Sequence, residues 1–240
     1  MPVFGKTKSD EDTPMTAHMH DLTLADGRRL SPWCWAAKLA LAHKGLPFET
    51  TATRFIDIQA IKGGGFKTVP VVELGSDTVG DSFELALKLE NDHPDRPKLF
   101  GGEGGVALSR FVQAQASFLL GKMSRAMVLA IHDGLDEETQ GYFRTSREKM
   151  FKATLEEVAA EPEKNLAAVK DSLTPLRILL RSQPFLGGEA PLFADFMIAG
   201  LFQWARVVGA VDYLAGEDRL AGWFGRLEER YGATLARTNG

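Results

Sequence analysis

Cysteine is almost absent: Cys34 is the one cysteine in 240 residues. A single thiol excludes an internal disulfide and any zinc site built from several cysteines, and it suits a reducing compartment. An excess of one charge is also missing. Lys and Arg number 28 against 32 Asp and Glu, a net charge of −4, which leaves no electrostatic footprint for nucleic acid or an anionic membrane. The longest apolar run, near Phe196–Phe202, falls far short of the ~20 residues that a membrane-spanning helix needs. Among His18, His20, His43, His93 and His132 only His18-x-His20 has a ligand-like spacing, so no metal is assigned. Residues 1–13 are too charged for a signal peptide, and no internal repeat is found. What is present is an ordinary globular composition, 44% hydrophobic with 25% charged residues and 24 glycines, able to build one large or two modest cores. A cytoplasmic enzyme or binding protein is expected.

The stretch from Leu30 to Gly45 organises the rest. Ser31 is a favoured N-cap, Pro32 suits the first helical position and Gly45 supplies the stop. Between them there is little polar surface beyond Lys38 and the basic last turn of His43 and Lys44, so the helix is expected to be sandwiched rather than laid on a surface. Its first turn gathers a hydroxyl, a thiol and two indoles at the positive end of the helix dipole, a place to hold an anion. Before it, Met15–Leu24 reads as a strand. After it, Phe48–Phe55 reads as a second strand, which makes a βαβ unit with parallel strands. Ile56–Ile61 reads as a short helix ended by Gly63-Gly64-Gly65. Val69–Leu74 is a buried strand turning at Gly75-Ser76-Asp77 into a short Thr78-Val79 strand, and Asp81-Ser82 starts a helix to about Asn91. Beyond the breaks at 92–97 and 101–105 only helical patterns appear, at Val106–Ile131, Asp136–Ala160, Glu163–Arg181, Leu192–Val208 and Asp218–Tyr231. The pattern implies a disordered tail over 1–15, an α/β domain over 16–92, a linker over 93–105 and an all-α bundle over 106–240.

Ser31-Pro32-Trp33-Cys34 has the spacing of the Cys-x-x-Cys of thioredoxin-like proteins, with serine in the attacking position. With "KTVPVVE" (67–73), "DSFELALKLE" (81–90), "HPDRPKLF" (93–100) and "FLGGEAPLFADF" (185–196), it resembles the serine-type members of the cytosolic glutathione transferase superfamily. "SPWCWAAKLALAHKGLPFE" (31–49) is most similar to the bacterial β-etherases and their fungal relatives, and Tyr142–Phe151 is similar to them as well. The resemblance covers most of residues 16–200. It implies a thioredoxin-like first domain with a mixed four-stranded sheet, an all-helical second domain, a homodimer, and glutathione as co-substrate.

The resemblance also implies residue roles, each with a plainer reading beside it. Ser31 would donate a hydrogen bond to the glutathione thiolate, whose pKa falls at a helix N-terminus; the plainer reading is a helix cap. Val69, before a cis Pro70, would pair with the cysteinyl backbone of glutathione; the plainer reading is a rigid bend. Ser82 would bind the γ-glutamyl carboxylate and Asp81 its ammonium, where capping alone also explains the pair. Lys67 would meet the glycyl carboxylate, or is a solvated charge. Cys34 stands in the resolving position without a partner thiol, so it is packing, or else a monothiol centre. Phe111, Phe118, Met123 and Met127, with Trp33 across the cleft, would line a site for an aromatic electrophile, or form a helical core stripe. Asp195 stands at the N3 position of a helix start whose capping position, Leu192, has no acceptor. The activity implied is displacement by glutathione thiolate at an electrophilic or ether-bearing carbon of an aromatic substrate. The alternatives are a non-catalytic glutathione-binding protein, or a thiol reductase or dehalogenase working through Cys34.

Overall fold

Strand β1 (Ala17–Leu22) buries Ala17 and Met19 on one face, the period-two pattern of a half-buried strand. The structure, a computed structural model, describes residues 16–239; the tail expected at 1–15 lies outside the described residues. Helix α1 (Pro32–His43) returns the chain to β2 (Phe48–Thr53), which pairs in parallel with β1 from Ala17 opposite Phe48 to Leu22 opposite Thr53. A 3-10 segment (Phe55–Gly63) ends in three glycines, Gly63, Gly64 and Gly65, all at positive φ. Strand β3 (Val71–Leu74) runs antiparallel to β1, and β4 (Asp77–Val79) antiparallel to β3. The sheet order is β2-β1-β3-β4, mixed and four-stranded as expected. Helix α2 (Ser82–Asp92) completes this domain.

The second domain is helical: α3 (Glu103–Asp133), α4 (Glu137–Phe151), α5 (Leu155–Ala159), α6 (Pro162–Ser172), α7 (Thr174–Leu179), α8 (Phe193–Val208) and α9 (Asp218–Leu235). Two of the five helices expected here divide. The one expected over 136–160 breaks where Lys152 turns left-handed (φ 55) and Thr154 with Glu157 forms a capping box that starts α5, a stronger local signal than continued periodicity. The one expected over 163–181 breaks at Leu173, ahead of Pro175, which has no N–H to continue the ladder. Helix α3 begins at Glu103, so its first turn takes up the last glycines of the expected linker. Among the described residues no helix is long and apolar enough to cross a membrane.

The two domains are joined through the end of α1. Lys44 Nζ lies 2.7 Å from Glu90 Oε2, and that oxygen accepts the Leu99 N–H at 2.9 Å. His43 Nε2 is 3.0 Å from the Lys98 carbonyl, which can only accept, so Nδ1 accepts from the Tyr231 hydroxyl of α9 at 2.6 Å. Asp195 is the polar anchor of the second domain. Fully buried, it accepts from Leu186 N (2.7 Å), Gly187 N (3.0 Å), Leu192 N (2.9 Å) and Trp223 Nε1 (2.8 Å). It makes its half of the capping box, and Leu192 makes no side-chain bond in return. Burial pushes its carboxyl up, and the four donors hold it down only in part. Asp195→Ala strands those donors in an apolar interior and is expected to cost about 3–5 kcal/mol, read as a lower urea midpoint at unchanged m-value; a loss below about 1 kcal/mol would show that the anchor is not structural.

Candidate functional site

Topology brings three expected elements to one end of the sheet. The chain leaves β1 at Leu22 and enters α1 at Ser31 after a short loop. Because β3 is antiparallel to β1, with Val71 opposite His20, the preceding Val69–Pro70 lies at the same end. Val79 of β4 stands opposite Val72, so the start of α2 at Asp81-Ser82 comes back to that end as well.

Each element presents unspent polar groups there. Ser31 (φ −85, ψ 120) caps α1, its Oγ accepting the Cys34 N–H at 3.2 Å. It is 4% exposed, and its own hydroxyl proton has no acceptor among the described residues. Val69–Pro70 is a cis peptide, and among the described residues neither the N–H nor the C=O of Val69 takes part in a backbone hydrogen bond. Asp81 caps α2 with one oxygen, Oδ1, which accepts from Phe83 N (2.8 Å) and Glu84 N (3.0 Å). Its other oxygen is uncommitted, and Ser82 is buried beside it. Lys67 is exposed on the approach to β3. Cys34 is fully buried, with Sγ 3.8 Å from the His20 carbonyl. Burial first and the Asp21 carboxylate second push its thiol well above the ordinary range.

The expected electrophile set is not brought together. Met123 and Met127 are 0% exposed, on the inner face of α3 in the second domain's core, where the Met123 carbonyl accepts the Tyr213 hydroxyl at 3.1 Å. Phe111 and Phe118 are 71% and 56% exposed on the outer face. From Phe118 to Met127 is about two and a half helical turns, so the two side chains leave α3 on opposite sides. Trp33 alone of the five stands at the start of α1, half-buried. A cavity of about 440 Å³ lies instead between α8 and α9, lined by Phe202, Arg206, Val211, Phe224 and Glu228 among others, and none of the expected site residues borders it. His18 faces Glu49 at 3.7 Å and His20 Nδ1 lies 3.2 Å from Thr53 Oγ1.

Sequence reasoning missed two features. The first is the burial of Asp21 and Lys38 beneath the first turns of α1, 2.6 Å apart; the signal was Lys38 itself, a charge in an otherwise apolar helix. The second is Gly200 of α8. A Cβ built there would lie 2.3 Å from the Pro32 carbonyl and 3.2 Å from the Ala36 N, so α1 and α8 touch backbone to backbone at the turn that carries Ser31.

The family model described as "Glutathione S-transferase, N-terminal domain" matches residues 30–92, and "Glutathione S-transferase, C-terminal domain" matches residues 107–232. The chain is similar to the glutathione S-transferase-like protein ustS of Aspergillus flavus, 24% identical over 196 residues that cover 70% of this chain and 71% of that protein. In fold it is similar to glutathione transferase GSTFuA3 from Phanerochaete chrysosporium, with a TM-score of 0.79, 24% identity and coverage of 92% of this chain and 98% of that one. It is also similar in fold to a glutathione S-transferase of Ceriporiopsis subvermispora in complex with glutathione, with a TM-score of 0.77, 21% identity and coverage of 90% and 98%.

The Gly200 contact carries a stability prediction. Gly200→Ala should destabilise the protein by about 1–3 kcal/mol through overpacking. Gly225→Ala in α9, where a Cβ meets nothing within 4 Å, should stabilise by about 0.5–1 kcal/mol on helix propensity. A Gly200→Ala melt no lower than that of the wild type would contradict the close approach.

Proposed function

The chain belongs to the glutathione S-transferase family, and on that footing we propose that it is a serine-type transferase, with the β-etherase-like group as its relatives in chemistry. The observation that carries this reading is the state of Ser31. Its cap to Cys34 N–H uses an oxygen lone pair and leaves the hydroxyl proton unspent, so capping and donation are compatible in one side chain. A thiolate sulfur at the start of α1 would gain that proton's hydrogen bond together with the helix dipole. The structural neighbour in complex with glutathione supports glutathione as the occupant.

In this reading the free N–H and C=O of Val69 pair with the cysteinyl backbone of glutathione in the manner of strand addition. Ser82 takes the γ-glutamyl carboxylate at the N-terminus of α2, the uncommitted oxygen of Asp81 takes the ammonium, and Lys67 takes the glycyl carboxylate. Ser31 holds the sulfur as its thiolate and is not itself a nucleophile. The thiolate attacks an electrophilic carbon of an aromatic substrate; the S–C bond forms as the bond to the leaving group breaks, and the leaving group departs with the electron pair, as a phenolate where an aryl ether is cleaved. Trp33 offers a ring to that substrate. The buried, protonated Cys34 argues against reductase or dehalogenase chemistry. The exposed stripe of Leu108, Phe111 and Phe118 on α3 supports a homodimer, and the lone buried thiol suits the cytoplasm.

Two measurements test the assignment. Ser31→Ala removes one charge-assisted bond, worth about 1.5–3 kcal/mol, so the thiol of bound glutathione should titrate one to two units higher. Turnover at neutral pH should fall on the order of 10- to 100-fold, with partial recovery in alkali. An unshifted thiolate titration would leave Ser31 a cap and nothing more. Ser82→Ala, which leaves the Asp81 cap in place, should weaken glutathione binding by about 1.5–3 kcal/mol in calorimetry; unchanged affinity would remove the γ-glutamyl subsite.

A further inference from the structure

The rings expected to receive an aromatic substrate do not meet, but two others do, one from each domain. Strand β2 ends at Thr53 opposite Leu22, and the Thr53 carbonyl accepts the Thr23 N–H at 3.0 Å. Phe55, two residues on, therefore opens the 3-10 segment at the end of the sheet that carries Ser31. In the loop that leads to Ser31, the Ala25 N–H donates to the Gly134 carbonyl at 2.9 Å, which brings the start of α4 to that end as well. Arg54 holds the two sides together. Its Nε lies 2.7 Å from Asp57 Oδ2 on the 3-10 segment, and its Nη1 lies 2.9 Å from Glu138 Oε2 on α4. Beside it Phe55 meets Phe143 of α4 edge to face, with 5.4 Å between ring centres.

Arg147 stands one turn further along α4. Its guanidinium carbon lies 4.8 Å from the centre of the Phe143 ring and 5.5 Å from that of Phe55. The side chain is half-buried, and among the described residues its one hydrogen bond runs from Nη1 to the Ser146 hydroxyl at 3.2 Å. Acids on either side are taken, Asp57 and Glu138 by Arg54, Glu148 and Glu156 by Arg144. Burial draws the hold of Arg147 on its proton down from the ordinary value, yet a guanidinium stays charged. A half-buried cation with unspent N–H groups is a cost to the fold, not a gain. Its planar fork matches a carboxylate, which accepts two N–H groups side by side, and the adjoining rings suit an aromatic body. One guanidinium answers one negative charge, which fits a carboxylate better than a phosphate dianion.

We propose that Arg147, between Phe55 and Phe143 at the junction of the two domains, binds the carboxylate of an aromatic acid, and that such acids are the electrophiles this chain accepts. The second half of this statement rests on the transferase reading; the first half does not. With a halogenated nitrobenzoate as the acid, the glutathione sulfur bonds to the ring carbon that bears the halogen, and the halide leaves with the electron pair. The ring carboxylate takes no part in those bond changes. It is the handle by which the substrate is held.

The test uses 4-chloro-3-nitrobenzoate and its uncharged methyl ester as paired probes. In calorimetry without glutathione, the wild type should bind the acid on the order of tenfold more tightly than the ester. Arg147→Met, which keeps the reach of the side chain and removes the charge, should abolish that difference by weakening the acid alone. Arg147→Lys, a charge without the fork, should restore part of it. In turnover with glutathione, Arg147→Met should raise KM for the acid on the order of tenfold and leave kcat and the ester's KM within about twofold. Equal losses for acid and ester, or no loss for either, would overturn the proposal. So would a wild type that does not prefer the acid, an outcome that needs no variant to fold. Failure of the transferase reading would show separately, as acid binding that still depends on Arg147 while glutathione releases no chloride from the bound acid.

Discussion

Helix α1 meets α8 with no room for a side chain between them, and the position of every group at the start of α1 follows from that contact. Gly200 lets the α8 backbone reach the Pro32 carbonyl. On its other side α1 lies against the sheet, and the helix buries Pro32, Cys34, Trp35 and every residue on to Leu41. A helix apolar on nearly every side belongs to both layers at once. Its far end is held too, by Lys44 to Glu90 and by His43 between the Lys98 carbonyl and Tyr231. The first domain carries Ser31, but the second domain fixes where Ser31 stands.

That rigidity governs how polar groups are used in an apolar setting. An interior this dry penalises an unpaired donor or charge by several kcal/mol, and the chain meets the penalty in two ways. Asp195 satisfies both oxygens with four donors and serves structure. Asp21 does not: its carboxylate has an ion pair and little else, at the turn where the functional groups gather. The two buried aspartates thus differ in kind, one saturated by four donors and the other held by an ion pair.

The fold was legible because its signals are local. Ser31-Pro32 and Gly45 bracket α1, the glycine run closes the 3-10 segment, and Asp81 starts α2, each through a side chain or backbone state that acts within a few residues. The Asp81 cap could be named for the same reason, and the cis peptide at Val69–Pro70 from the resemblance. Helix breaks at Lys152 and Leu173 were harder to see, because apolar periodicity continues across both and the interruption is marked only by a left-handed residue with the Thr154–Glu157 capping box after it, or by the proline two positions on. The electrophile set lies apart for a different reason. Phe111, Phe118, Met123 and Met127 share a helix and a chemistry, but spacing decides faces, and theirs put two inside and two outside. Asp21, Lys38 and Gly200 were out of reach because their meaning arises between elements far apart in the chain, and no pattern in one segment reports what another places against it.

Relatives at 21–24% identity share this fold, so the fold alone cannot decide which sulfur does the chemistry. Ser31 and Cys34 both stand within a turn of one helix N-terminus, and the helix dipole favours an anion there. What separates them is burial and the hydrogen bonds each already makes. Cys34 is fully buried, and burial pushes its thiol up; the Ser31 hydroxyl proton has no acceptor among the described residues. In the transferase reading proposed above, the ligand thiol is the group whose anion this helix start supports.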